Sequence, residues 1–480
     1  MTSSRRIAVG LFLAVLLAVA AAAIVLLTRV RVLSVSPATG ASVPVTAPIR
    51  IAFSVPMDPG SVLAHLLIRP EASGSATVAG RDFIWQPGAA WLPGTTYTVT
   101  LQPGATSADG RTLGRGQTWR FQTRAPDLLY LGRSPSSAGI RQITLAALDG
   151  TDPRPLTAAP LGVWDFAVHP QGEAVVYSAL REDGGSDLWL LDLASRPPTA
   201  QPRLVLACPD AACLAPAWSP DGRQIVYERR DIFAGAPNLD PQAGRLWLLD
   251  VAGEKASSLF DYDVPAHSAA WAPDSRHLAY VSPLAPAVEV LDLDSGEITP
   301  FANEWGAAPV WSPLPAGVDQ PAAGADARTA DLVVPDLALV EEPQEALVVH
   351  LFGLDVASTQ AANLTAAGDA LLVKDTGPAW SPGGGWIAFS RQSFDADSRT
   401  PGRQIWLMRP SGSEAFSLIV EPAADLFGLA WRPDGGALAY LREDLSAGPQ
   451  AEPQVGTWIF DFGQKRSAYV ADGVMARWLP

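Results

Sequence analysis

Acidic side chains recur at one place in this sequence, three to eight residues before the Trp or Val that ends a short apolar segment. Carboxylates gathered around one opening focus a negative potential, which attracts cations and basic partners. We predict a ligand site from six of these acids together with His267. The seven acids are Asp165, Asp210, Asp263, Glu304, Asp375, Asp425 and Asp472, and all but Asp210 belong to the predicted site. The alternative is that they are ordinary solvated loop residues of an acidic chain.

Catalytic chemistry has few candidates in this sequence. Of the five histidines, His169 and His277 flank turns, where a structural role is expected. The sequence contains neither a G-x-S-x-G nucleophile motif nor an H-E-x-x-H zinc motif. We therefore predict no catalytic residue, no metal site and no cofactor. An enzymatic alternative stays open, in which a hydrolase or lyase acts on peptide or glycan through residues from separate loops.

Cys208 and Cys213 are the only cysteines of the chain and lie five residues apart. In an oxidising compartment two such cysteines can close a small disulfide ring. We predict this disulfide, with two unlinked thiols as the alternative. No further ligand residues flank the pair in the sequence, so a zinc site is not predicted here.

A repeat positions these residues along the chain. Seven times an apolar stretch ends in aromatic-x-proline or its equivalent, and most copies continue into Asp-Gly or a close variant. Successive copies are 40 to 69 residues apart, a period typical of propellers, because one unit cannot bury its own apolar face. An apolar strand, a tight turn, a second strand, a loop and a third strand together predict a four-stranded blade. The copies are Val168–Pro170, Trp218–Pro220, Trp271–Pro273, Trp311–Pro313, Trp380–Pro382, Trp431–Pro433 and Trp478–Pro480.

The two ends of the repeat array predict a closed ring over residues 125–480. Residues 128–131 and 142–146 have the pattern of second and third strands without a first strand, and Pro480 follows a first strand. Pairing of these segments would complete one blade. First strands number seven, and six blades remain open if the degenerate segment around 332–351 is looped out. The ligand is expected on the face formed by the inter-blade loops and the second-to-third-strand loops, which include a predicted long loop at 335–346.

The repeat resembles the WD-like propeller repeat of the TolB type, whose units carry a W-S-P-D-G turn, as in Trp218–Gly222, and an I-W-L-L-D-like third strand, as in Leu246–Asp250. The resemblance covers roughly residues 126–480. It implies the propeller fold. TolB itself has six blades and a different N-terminal domain, so its partners are not transferred to this chain.

Residues 33–124 are predicted to form a separate β-sandwich, because alternating apolar strands are broken by Pro and Gly turns. Leu92–Tyr97 has the pattern of a tyrosine corner. The stretch resembles the bacterial Ig-like domain of the SbsA type in Ser36–Gly40, Phe53–Asp58 and Asp109-Gly110. The resemblance implies a spacer or adhesion module rather than a chemical activity.

Residues 1–32 are predicted to be a cytoplasmic stub followed by an uncleaved membrane anchor. Ile7–Thr28 contains no charged residue and is long enough for a bilayer crossing of about 20 residues. Flanking arginines slightly favour an N-terminus in the cytoplasm, and a cleaved signal peptide is the alternative. The expected fold class is all-β behind a transmembrane helix. The expected localisation is single-pass, with both domains outside the cytoplasm.

The net charge of −15 excludes nucleic acid as an expected partner, because such binding depends on neutralising phosphates. The leading functional expectation is a membrane-anchored binding or scaffold protein whose propeller loop face binds a protein, peptide or glycan. A sensor or assembly subunit, paired with another membrane protein through its anchor, is a further alternative.

Overall fold

A computed structural model describes residues 30–480 apart from 134–138, 147–152, 194–200, 234, 239, 262, 314–329, 341–345, 367–371 and 448–453. The chain divides into two compact units, Met1–Ala125 and Pro126–Pro480. Each unit is built from β-strands around its own apolar core.

The N-terminal unit is a sandwich of two four-stranded sheets, in which every second strand residue faces the core. Trp91 lies in that core and its indole N–H donates to the carbonyl oxygen of Ala47 at 2.7 Å. The backbone N–H of Leu92 donates to the Tyr97 hydroxyl at 3.1 Å, which fixes the chain where the tyrosine corner is predicted. One sheet has the order β1 (Val32–Ser36), β3 (Ile49–Phe53), β6 (Asp82–Pro87), β5 (Gly74–Ala79), and the other β2 (Ser42–Val43), β8 (Gln117–Thr123), β7 (Thr96–Leu101), β4 (Leu66–Arg69).

The predicted transmembrane helix, and with it the single-pass localisation, is corrected by the structure. No helix in the described ranges is long and apolar enough to cross a membrane. Helix α1, Pro59–Ala64, has six residues, whereas a crossing needs about 20. The segment Ile7–Thr28 that carried the prediction lies outside the described residues. The described residues therefore form an all-β fold, an Ig-like sandwich and a propeller, and they include no helix that could span a membrane.

The C-terminal unit consists of seven antiparallel blades. Blade 1 holds β9 (Asp127–Arg133), β10 (Arg141–Ala146) and β11 (Arg154–Pro155). Blade 2 holds β12 (Val163–Val168), β13 (Ala174–Leu180), β14 (Ser186–Asp192) and β15 (Arg203–Leu206). Blade 3 holds β16 (Ala211–Trp218), β17 (Gln224–Phe233) with its short partner β18 (Ala236–Pro237), β19 (Arg245–Asp250) and β20 (Lys255–Ser258). Blade 4 holds β21 (His267–Trp271), β22 (His277–Ser282), β23 (Ala287–Asp292) and β24 (Ile298–Ala302).

Blades 5 to 7 follow the same order. Blade 5 holds β25 (Val310–Trp311), β26 (Leu332–Val340), β27 (Ala346–Asp355) and β28 (Gln360–Asn363). Blade 6 holds β29 (Val373–Trp380), β30 (Ile387–Ser393), β31 (Gln404–Met408) and β32 (Phe416–Ile419). Blade 7 holds β33 (Ala424–Trp431), β34 (Ala437–Asp444), β35 (Val455–Asp461) and β36 (Arg466–Leu479). Strand β36 is long because it serves two blades.

The ring is closed by the two halves of β36. Residues 466–472 pair with β35 as the fourth strand of blade 7, and residues 473–479 pair with β9 as the missing first strand of blade 1. The apolar core clusters join each blade to the next, and one of them joins blade 7 to blade 1 through Leu128, Ile459 and Trp478. The propeller therefore has seven blades rather than six.

The repeat tryptophans lie between blades and bond to them. In five blades the indole N–H donates to a carbonyl oxygen on the first strand of the preceding blade, for example Trp478 to Ala430 at 2.9 Å and Trp271 to Ala217 at 3.1 Å. Trp380 departs from this pattern, since its N–H is buried without a partner among the described residues. β25, the first strand of the preceding blade, has only two residues. Blade 5 is therefore the irregular blade in structure as in sequence.

Blade 5 also corrects one predicted loop. Residues 335–346 are expected from the sequence to be a long loop, but most of their described part belongs to β26 and β27, nine and ten residues long. The two strands stay paired out to Val340 and Ala346. The strand pattern simply continues past the length found in the other blades, so a projecting hairpin takes the place of the loop.

Candidate functional site

Exposed apolar side chains concentrate at one end of the propeller. We call this end the loop face: it is formed where first strands begin and where second strands connect to third strands. Of the fifteen large apolar side chains exposed on the described propeller, ten lie there, and the other five lie on or next to fourth strands at the outer rim. The ten are Leu161, Trp164, Phe233, Val264, Leu284, Trp305, Leu339, Leu347, Phe394 and Leu445.

The two longest hairpins carry the most exposed of these side chains. Phe233 ends β17 and is 74% exposed, and Leu347 near the start of β27 is 71% exposed. Leu339 lies directly opposite Leu347 in the β26–β27 pairing. An apolar cross-strand pair held out in water is unusual for a monomer and marks an interaction surface.

The acids predicted to line the site do not form one set of free carboxylates. Asp210, Asp263, Glu304 and Asp472 are exposed on the loop face, and Asp472 accepts a hydrogen bond from the Tyr469 hydroxyl at 2.8 Å. Within the described ranges no hydrogen bond or ion pair joins two of the predicted acids. No group of three or more His, Cys, Asp or Glu there is placed to hold a metal ion.

Two of the predicted acids are held by arginines. Asp375 is fully buried and receives two parallel hydrogen bonds of 2.7 Å from the Nε and Nη2 of Arg391. Asp425 accepts from the backbone N–H and the guanidinium of Arg403. Burial alone would raise the pKa of Asp425, but the hydrogen bonds from Arg403 outweigh it and hold the pKa below its usual range. These carboxylates stabilise blades 6 and 7 and are not available to a ligand.

Asp165 is buried with an incomplete set of partners. Its Oδ2 accepts from the backbone N–H of Ala215 in blade 3 at 2.5 Å. Its Oδ1 and the Oγ of Ser178 are both buried without an aligned hydrogen bond in the described structure. Burial raises the pKa of Asp165 to about 6, against the opposing effects of Ser178 and Ala215, and Glu228 raises it further. Asp165 is therefore a strained position of the ring that the sequence indicates only as an acid.

We expect Asp165→Asn to stabilise the propeller at neutral pH. The folded-state pKa lies above the unfolded value, so the stability linked to this group is present below about pH 4 and is lost as the pH rises through about 6. A difference of two pKa units corresponds to about 3 kcal/mol at pH 7. Denaturant unfolding at several pH values should show that the free energy of unfolding of the variant, relative to that of the wild type, increases between pH 4 and pH 7.

The exposed Asp263 gives the control for that series. Asp263→Asn should change the free energy of unfolding by less than about 0.5 kcal/mol at each pH. A stability difference between Asp165→Asn and wild type that does not vary with pH would contradict the role assigned to the buried carboxylate.

His267, the histidine of the predicted site, lies at the start of β21 and is buried. Its Nδ1 is 3.0 Å from the Oγ of Ser268, and burial lowers the pKa of His267, so the ring is neutral near pH 7. Glu228 accepts from the Ser268 backbone N–H at 2.7 Å and from Arg230, rather than from the imidazole. A catalytic triad needs a carboxylate on the second ring nitrogen, and this arrangement lacks that contact.

The strained backbone of Ser268 has an architectural origin. Its φ is 55°, and the same position of the first strand has a positive φ in other blades, at Ala215, Gly377, Gly428 and Met475. In blades 3, 4, 6, 7 and 1 this residue lies within a bulge, where the first-strand register shifts. The strain therefore belongs to the repeat and does not single out Ser268 as a nucleophile.

A recurring arginine–tryptophan stack is a site feature that was not predicted from the sequence. Two residues after the second-strand aromatic, an arginine covers the third-strand tryptophan: Arg229 on Trp247 at 5.9 Å, Arg391 on Trp406 at 4.8 Å and Arg442 on Trp458 at 5.6 Å to the ring centroid. Strand residues two apart share a face, so the pattern aromatic-x-Arg is the signal that could have revealed it.

The two cysteines are bonded in the structure and lie next to the loop face. The S–S distance of Cys208–Cys213 is 1.95 Å. The guanidinium of Arg181 donates to the Cys208 carbonyl oxygen at 2.9 Å and also bonds Asp183 and Asp187. The cystine loop is thus fixed to the second-to-third-strand loop of blade 2.

Comparison with known proteins supports the N-terminal assignment. Residues 27–123 match the family described as bacterial Ig-like domain. No curated protein matches the chain. Solved structures similar to the chain include the putative TolB from Agrobacterium tumefaciens (16% identity, 74% of this chain and 99% of that chain, TM-score 0.38) and TolB from Acinetobacter baumannii (11%, 88% and 86%, 0.41). Another is puromycin hydrolase (14%, 73% and 54%, 0.44). The predicted bacterial Ig-like domain is thereby confirmed as a family match, which does not distinguish the SbsA type.

Proposed function

We propose that this chain is a binding protein whose propeller loop face docks on a protein or peptide partner. The observation that carries the proposal is the concentration of exposed apolar side chains on that face, led by Phe233, Leu339 and Leu347 on two projecting hairpins. Burying one such side chain in an interface contributes about 1.5–3 kcal/mol. None of the three side chains is needed for the blade cores, so the fold itself does not explain why they are exposed to water.

Two further features support this assignment. The Cys208–Cys213 bond fits an oxidising compartment outside the cytoplasm. The Ig-like unit, as a domain with its own core, serves in this proposal as a spacer. No observation favours the alternative of a hydrolase or lyase over docking, because the His267 contacts do not have the geometry of a base that is oriented by a carboxylate.

Site-specific photo-cross-linking in the native host tests the proposal. A photoreactive phenylalanine analogue placed at Phe233, Leu339 or Leu347 should give one shared cross-linked product, and the same analogue at Phe416 or Ile298 on fourth strands should give none. Leu339→Asp with Leu347→Asp should abolish the product formed from position 233, whereas Phe416→Asp should leave it unchanged. Equal products from both sets of positions would overturn the proposal.

A further inference from the structure

Blade 2 lacks the arginine that covers the third-strand tryptophan elsewhere. Its second-strand aromatic is Tyr177, paired with Trp189, as Tyr227 is paired with Trp247 in blade 3. Two residues on, blade 3 has Arg229, and blade 2 has Ala179. Among the described residues, no arginine of blade 2 covers this tryptophan.

A cavity of about 470 Å³ lies at this place. Tyr177, Ala179 and Trp189 of blade 2 line it, together with Arg181 and Asp187 at the loop-face end of that blade. The segment from Pro155 to Pro160, which leads from blade 1 into blade 2, forms the facing wall. The cavity is lined by Ala179, the blade 2 residue at the position of the stacking arginine of blades 3, 6 and 7.

The Tyr177 hydroxyl is one polar group that this cavity offers to a guest molecule. Tyr177 is more than nine-tenths buried and lines the cavity, yet its hydroxyl makes no hydrogen bond to any described residue. Burial raises the pKa of Tyr177 to about 12, so this hydroxyl is neutral at physiological pH. Because Tyr177 lines the open cavity, a group bound there can be the hydrogen-bond partner of its hydroxyl.

One carboxylate oxygen in the cavity is available to a cation. Asp187 lines the cavity, and its Oδ1 accepts from Arg181 and from the Cys208 N–H, while its Oδ2 has no hydrogen bond among the described residues. Arg181 also lines the cavity, and it pairs both with Asp187 and with Asp183, which lies outside the lining. An aromatic face beside a carboxylate is the environment in which proteins bind guanidinium and ammonium groups.

We propose that this cavity binds the guanidinium group of an arginine side chain carried by a partner protein or peptide. The guest guanidinium stacks on Trp189 and bonds Asp187 Oδ2 and the Tyr177 hydroxyl, in the place that Arg229, Arg391 and Arg442 occupy in their own blades. The net charge of −15 favours approach of such a basic partner. This inference rests on the proposed docking function and names one contact of the partner.

Titration of the full chain with a small probe tests the inference. The probe is Nα-acetyl-arginine methylamide, and its neutral isostere is the matching citrulline derivative. Calorimetry or ligand-observed NMR should show binding of the arginine probe and at least about tenfold weaker binding of the citrulline probe, because the cation–aromatic contact and the charge pair are lost together. Equal binding of the two probes, or no binding of the arginine probe, would overturn the proposal.

Two variants locate the binding. Ala179→Arg supplies the missing arginine from within the chain and should abolish probe binding while the melting temperature stays at or above that of wild type. Trp189→Ala should weaken binding about tenfold, whereas Trp247→Ala, the matched position in blade 3 that Arg229 covers, should leave it unchanged. A folded Ala179→Arg protein that still binds the probe would place the site elsewhere and contradict the assignment.

The outcome is separable from that of the proposed docking function. Cross-links from positions 233, 339 and 347 that persist in Ala179→Arg, together with no probe binding by wild type, would reject the arginine cavity and leave the docking face in place. Probe binding without any loop-face cross-link would reject the docking face as assigned and retain the cavity as a site for small guanidinium compounds.

Discussion

Deletion of Val474–Pro480 is expected to abolish cooperative folding of the propeller. These seven residues are the first strand of blade 1, and their removal leaves β9 as an unpaired edge. Trp478 and Leu479 are both buried, and the loss of two such side chains costs about 5–10 kcal/mol. That is as large as the whole stability of a typical domain, about 5–15 kcal/mol. Thermal unfolding followed by circular dichroism and tryptophan fluorescence measures the effect.

Single substitutions keep the closure argument testable if the deletion variant does not fold. Trp478→Ala should cost about 3–5 kcal/mol, because the indole packs between blades 7 and 1 and donates to the Ala430 carbonyl oxygen. Trp164→Ala is the matched control, since Trp164 is a first-strand tryptophan that is 42% exposed, and it should cost less than about 1 kcal/mol. Similar losses at both positions would refute the closure by the C-terminal strand.

The second large effect is expected at the buried ion pair of blade 6. Asp375→Ala should destabilise the propeller by about 3–5 kcal/mol, because it leaves the guanidinium of Arg391 buried without its carboxylate. Arg391→Ala should cost a similar amount, since it strands Asp375 and removes the stack on Trp406. The double variant should be much less destabilised than the sum of the two, and chemical unfolding of all four proteins in a double-mutant cycle measures the coupling.

An exposed ion pair in the same propeller is the control for that cycle. Arg203 and Glu254 are 2.8 Å apart, and both side chains are about half exposed. Solvent screens such a pair, so its coupling should fall between about 0 and 1 kcal/mol. A coupling at Asp375–Arg391 no larger than at Arg203–Glu254 would show that the buried pair does not hold blade 6.

The acids predicted from the sequence differ in whether their carboxylates are available to a ligand. A carboxylate three to eight residues before the Trp or Val of each first strand is visible from the repeat alone. Asp375 is nevertheless paired with Arg391, Asp425 is paired with Arg403, and Asp165 is buried. The partners lie 16 and 22 residues away along the chain. Arg391 is on the strand paired with that of Asp375, and Arg403 precedes a strand of the neighbouring blade. Strand pairing and packing between blades therefore decide which of these acids can face a ligand.

The sequence alone determined the repeat, the closure of the ring by the C-terminal strand and the Ig-like domain. Each depends on patterns that neighbouring residues express by themselves: apolar alternation, proline at a strand end and Asp-Gly in a tight turn. The length of the β26–β27 hairpin could not be read in this way, because a projecting strand and a loop of the same length differ only in their cross-strand pairing.

Only the tertiary structure decided the chemistry of the loop face. The arginine–tryptophan stacks join residues of adjacent strands. The strand pairing of blades 2 and 3 shows that Ala179, which lines the cavity, is equivalent to Arg229. Burial and the number of charges within a few ångströms decide which polar side chains have hydrogen-bond or ion-pair partners. Both are properties of packing across strands and blades. The sequence alone does not show that Ala179 lies beside Trp189, Tyr177 and Asp187 in one cavity.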